Sequence, residues 1–305
     1  MAAPITIEQS PWYEREAPSP QIGDDQFALE VAFSAARRDD KPTVALLGAY
    51  RLPGRYGDMY GGRIPGAINI VGIDPATGRL WFNTGETVDA APLKHAMDPD
   101  PEPPKPGAVQ RVAVEGLFNA DFAGHLGLPP EKAGYSAFAW LDEMTSSVHS
   151  VDVPENKDRP ETRGHPPGWV DVETLRFQRS AHSPKLEGSP IALRWRKTDP
   201  SAAGVAGIDV YGALDPKLLP QKPPQEGEPP TYVTVMALGH RNRELQWCSA
   251  GVPAEAIEAK EGFFEFSLRQ LVEWTEPAQR VFVLCVVGTE KSDVLVIDPA
   301  RQARQ

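Results

Sequence analysis

The residues that can carry chemistry in this chain are few and widely spaced. Six histidines, His95, His125, His149, His165, His182 and His240, stand at separations unlike the paired spacing of a zinc motif. No Gly-x-Ser-x-Gly elbow occurs, and no Cys–His pair has a telling context. If the chain is an enzyme, its groups meet only in the fold, and His95, His125, His149 and Asp58 are the candidates. The run Gly54-Arg-Tyr-Gly-Asp-Met-Tyr-Gly-Gly62 resembles a phosphate-cradling loop at first sight, but it lacks the Lys-Ser/Thr ending. Asp98, Asp100 and Glu102 offer calcium-type oxygens, yet alternating prolines hinder the curl that would bring them onto one ion. A solvated acidic loop is the simpler expectation there.

The best small-ligand reading is a sugar platform. Tyr56 and Tyr60, with Trp12 and Tyr13, offer flat rings for stacking, and Asp58, Arg63 and Asn69 offer polar contacts. The competing expectation is that the tyrosines cap the edge of a sheet. No cofactor is expected.

Composition narrows the partners. A net charge of −11 disfavours nucleic acid, which selects clustered Lys and Arg, and disfavours anionic membrane surfaces. No apolar run approaches the ~20 residues of a spanning helix, so membrane insertion is not expected. The start lacks the basic-then-apolar order of a secretory signal. The two cysteines, Cys248 and Cys285, read as small buried thiols, which fits a reducing cytoplasm.

The elements that must position these residues are short and β-rich. At 305 residues the chain suits two domains. The second half repeats the first: Glu115-Gly-Leu-Phe118 recurs as Glu261-Gly-Phe-Phe264, and at the same offset Tyr135–Leu141 falls on Val281–Val287. Ile68–Ile73 matches Val233–Leu238, and Leu80–Thr84 matches Leu245–Ser249. Asp58-Met-Tyr-Gly61 is set against Asp209-Val-Tyr-Gly212, and Thr43–Leu46 against Pro190–Leu193. Strands are expected near 27–34, 43–50, 67–73, 79–83, 114–120, 135–142 and 147–153. In the second half they are expected near 172–179, 190–196, 232–238, 244–248, 262–268, 280–287 and 293–298. Residues 122–126 and 268–272 suit one helical turn each. Seven strands per copy suggest an all-β chain of two tandem, internally duplicated immunoglobulin- or fibronectin-like β-sandwich domains. The expected plan is an arm at 1–25, a domain at 26–154, a Pro-rich linker at 155–168, a second domain at 169–300 and a tail at 301–305.

One strand departs from the sandwich pattern. Val281–Val287 does not alternate apolar with polar; both of its faces are apolar. One face, with Phe282, Leu284 and Val286, needs a cover beyond the domain core, as do Phe138 and Trp140 in the first copy. The sister domain is the simplest cover, another subunit the next, and a loop or the arm with Trp12 and Tyr13 the last. The leading expectation is therefore a non-enzymatic structural or interaction protein, with a protein partner or self-association. A carbohydrate- or small-ligand-binding module is the alternative.

Overall fold

The computed structural model describes residues 5–7, 20–23, 25–60, 63–84, 113–159, 175–198, 207–240, 243–271 and 280–298. The Pro-rich run 86–110, Trp12, Tyr13, His95, His165, Asp98, Asp100 and Glu102 lie outside these residues, as does most of the expected linker. The chain is mostly β and divides into two compact units, residues 1–73 with 81–164, and residues 165–305 with 74–80.

In the first unit a long hairpin joins β2 (Ala28–Arg38) to β3 (Lys41–Pro53). Its two-residue tip, Asp39-Asp40, has φ of 50° and 61°, the left-handed pair whose twist matches that of the flanking strands. A short parallel strand, β1 (Ile5–Thr6), lies on β2, and β6 (Ala113–Asp121) lies on β3, giving the order β1-β2-β3-β6. The second sheet runs β5 (Leu80–Thr84), β4 (Asn69–Ile73), β7 (Ala133–Leu141), β8 (Met144–Thr145), with β9 (His149–Val153) also on β7. Both sheets send side chains into one core: Leu29, Leu46, Leu52 and Phe118 from the first, Ile70, Tyr135, Ala137 and Val151 from the second. Helix α3 (Phe122–Leu126) closes one end, as the expected single turn; Asp121 caps it by accepting from the Gly124 N–H.

The second unit pairs β10 (Ile191–Lys197), β11 (Ile208–Leu214) and β14 (Phe263–Ser267) in one sheet. Its other sheet runs β13 (Leu245–Gly251), β12 (Tyr232–Gly239), β15 (Val281–Val287), β16 (Glu290–Lys291), with β17 (Leu295–Ile297) also on β15. Helices α4 (Ala254–Ala259) and α5 (Leu268–Leu271) flank β14 in the chain. Val210, Phe264, Phe266, Val235, Val283 and Ile297 belong to its core. Cys248 and Cys285 both sit opposite Val235, one on each side of β12. Two inter-strand spacings, ~10 Å, separate them, beyond the ~7 Å Cα limit for a disulfide. Both are free and buried.

Two expected correspondences and one expected strand fail. Asp58–Tyr60 lies on a helix whereas Asp209–Gly212 lies on strand β11, so identity of residue type did not mean identity of place. Thr43–Leu46 lies on the interior strand β3, whereas Ile191–Leu193 lies on the edge strand β10. The described part of the expected strand 172–179 makes a single bridge, Arg176 to Glu265. The sheet includes β11 instead, where no strand is expected.

Candidate functional site

The glycine-tyrosine run is a helix, not an open loop. Helix α1 (Gly54–Tyr60) is followed by the short α2 (Ile64–Ala67), whose first turn carries Pro65. Tyr56 and Tyr60 are four residues apart and therefore share one helical face. Their rings stack at 6.2 Å with planes 20° apart, and they are only 1% and 4% exposed. The Tyr60 hydroxyl donates to Asp142 Oδ2 at 2.6 Å, and Trp140 Nε1 donates to the Asp142 carbonyl at 2.6 Å. Asp142 itself is buried with φ of 48°, a conformation that the short polar side chain of Asp tolerates. Above this cluster Arg55 pairs with Glu143 and lies 5.4 Å from the Tyr56 ring centre. The Tyr56 hydroxyl, beside Arg55 and Glu143, has no well-formed hydrogen bond; burial first, then the charges of Glu143 and Asp142, push its pKa up.

Of the five expected ligand residues, three converge here. Asn69 is buried and its Nδ2 donates to the Trp140 carbonyl at 3.3 Å, which ties it to the same strand as the tyrosine cluster. Asp58 and Arg63 face solvent. A sugar cannot stack on Tyr56 or Tyr60 in this arrangement, because their faces are already packed. The tyrosines belong to the core of the unit, whereas the competing expectation placed them at the edge of a sheet.

The described histidines are dispersed. His125 is buried at the end of α3, and its carbonyl accepts from Asn83 Nδ2 at 2.9 Å. His149 lies on β9 with its ring 5.6 Å from that of Phe33. His182 and His240 lie against Tyr211 and Phe282. Among the described residues, no three His, Cys, Asp or Glu side chains converge as a metal-ligand set. No helix among them is long and apolar enough to cross a membrane.

The expected association residues lie on the second faces of β7 and β15. Phe138 and Trp140 on β7, and Phe282, Leu284 and Val286 on β15, are all buried. None of the five belongs to the core of its own unit, whereas the alternating positions Ala137, Ala139, Val283 and Cys285 do. Every residue of β15 is buried, so neither face of that strand meets solvent.

A polar cluster that sequence reasoning missed covers the outer face of β10-β11-β14. Two cross-strand rows build it, Arg196–Asp209–Ser267 and Arg194–Tyr211–Glu265. A segment bridged to the outer edge of β14 adds Arg176, which exchanges backbone hydrogen bonds with Glu265 at 2.8 and 2.9 Å. Gln178 Nε2 donates to the Glu265 carboxylate, and His182 meets both the Arg196 guanidinium and, at 5.4 Å, the Tyr211 ring. Burial, then the neighbouring Glu265 charge, raises the Asp209 pKa; burial, then Asp209, raises that of Tyr211. The signal was present: Arg194-Trp-Arg196 and Asp209-Val-Tyr211 alternate at the strand period, with Val210 inside. The arrangement is a mixed-charge polar surface, in which Arg176 and Arg196 partly offset the upward push on Asp209.

The chain matches no protein-family model, and no curated protein or solved structure matches it.

Proposed function

We propose that this chain is a non-enzymatic structural or interaction protein, a two-domain subunit or adaptor of a larger assembly. The observation that carries the non-enzymatic part of the reading is the burial of both faces of β7 and β15 within the chain itself. Each pair of large side chains removed from water contributes ~3–6 kcal/mol. The largest apolar groups thus strengthen the protein body instead of lining a pocket. The mixed-charge face of the second unit supplies a polar surface of the kind that orients a protein partner.

The same proposal takes the two halves as copies of one immunoglobulin- or fibronectin-like sandwich. The support is positional. Strands β2, β3 and β6 follow the order of β10, β11 and β14, and β5, β4, β7 and β8 follow that of β13, β12, β15 and β16. Gly48 lies under the Phe118 ring, as Gly212 lies under that of Phe264. Ser146 Oγ accepts from the Ala139 N–H at 2.9 Å, as Ser292 Oγ accepts from the Cys285 N–H at 3.1 Å.

Size-exclusion chromatography with light scattering at several concentrations tests the assembly. The expected result is a mass that rises above 33.3 kDa with concentration. A constant monomer mass across the range removes self-association from the reading.

A further inference from the structure

We infer that β1 is an exchangeable strand, able to add in trans to β2 of a second copy of this chain as it adds in cis here. This surface is separate from the second faces of β7 and β15 and does not depend on them.

The described contacts of β1 and of the residue after it come from three consecutive residues. Ile5 and Thr6 stand opposite Ala36 and Arg37 in parallel register, and the Ile7 N–H donates to the Arg37 carbonyl at 2.8 Å. Ile7 is 2% exposed and, with Ile5, packs on Ala36, Ala45 and Leu47. That small cluster is distinct from the core of the unit, because Ala36, Ala45 and Leu47 point to the outer face of the sheet. Without β1, this apolar spot and the edge of β2 at Arg37 lose their cover, and an uncovered edge recruits another strand.

The connection is long enough for either arrangement. A parallel pair cannot be joined by a tight turn. About twenty residues, 8–27, separate β1 from β2, and at ~3.3 Å per residue they reach up to ~65 Å. A second copy offers the same three residues to the same edge, so exchange conserves the described contacts and closes as a symmetric pair. The partner chemistry is an extended segment with a β-branched residue on each side of an exposed one, which this chain itself carries as Ile5-Thr6-Ile7.

Disulfide trapping decides the matter. Thr6 and Arg37 are exposed cross-strand partners, and Cys248 and Cys285 are buried and do not compete. A Thr6→Cys chain is mixed with a mass-tagged Arg37→Cys chain and oxidised. The expected product is a mixed dimer that dominates over either same-variant dimer and is lost when Ile7→Asp is added to the Thr6→Cys chain. Oxidation captures the exchanged form even where the cis form predominates. A mixture that stays monomeric, while the Thr6→Cys/Arg37→Cys double variant closes within one chain, overturns the inference.

Discussion

The ring of Phe118 lies across Gly48, its cross-strand partner, and a Cβ on that glycine would stand 2.3 Å from the ring. Gly48→Ala therefore forces the phenyl group out of its place. The expected loss is ~1–3 kcal/mol, and Phe118→Ala alone costs ~3–5 kcal/mol. The double variant should cost less than the two together, because the new methyl enters the space the ring has left. Urea denaturation of the four proteins measures the coupling; strict additivity would argue against the contact.

The hairpin tip of β2 and β3 carries two aspartates in left-handed conformation, at φ of 50° and 61°. Glycine adopts that conformation without the Cβ penalty, and Asp-Gly is a preferred pair for such turns. Asp40→Gly should raise stability by ~0.5–1 kcal/mol. A melting temperature that falls would mean the turn is not formed this way.

Two tyrosines on one helical face predict unequal outcomes for the same substitution. Tyr60→Phe leaves the buried Asp142 carboxylate without its hydroxyl donor, at a cost of ~1.5–3 kcal/mol. Tyr56→Phe removes a hydroxyl that only meets the Arg55–Glu143 pair in poor alignment and should cost less than Tyr60→Phe. Thermal unfolding of both variants checks this, and equal losses would contradict the assignment of the hydrogen bond.

Burial raises the Cys248 thiol from 9.0 to about 12 and pushes Cys285 up as well. The folded state thus holds its thiols protonated in a range where the unfolded chain ionises them. Their contribution to stability is complete below pH 9 and is lost as pH rises towards 12. Each thiol adds a slope of up to ~1.4 kcal/mol per pH unit in that window. Denaturation between pH 8 and 11 should show a steeper fall for the parent than for Cys248→Val. Iodoacetamide at pH 8 should label neither cysteine until the protein unfolds; rapid labelling of the native protein would show that the thiols are accessible.

Much of the fold was legible because its strands announce themselves by apolar runs and turn residues. Tyr135–Leu141 and Val281–Val287 are apolar on both faces, and the constant offset that links them also links Phe118 to Phe264. Helix α1 was not legible, since Gly54 and Gly57 weaken local helix propensity. What decides it is tertiary: on a helix, two tyrosines four residues apart are close enough to stack as they enter the core together. Strand β11 was missed for a different reason. Asp209-Val-Tyr-Gly212 shares three residue types with Asp58–Gly61, and that likeness obscured the strand-like alternation of Ile208, Val210 and Gly212 with Asp209 and Tyr211. With β11 misplaced, the charged rows it completes with β10 and β14 were invisible.

Val235 stands between the two sulfurs like a fixed spacer. No oxidant can join them while the sheet is intact, and no reductant has a crosslink to break. The covalent connectivity of a single folded molecule is therefore indifferent to the redox state of its surroundings.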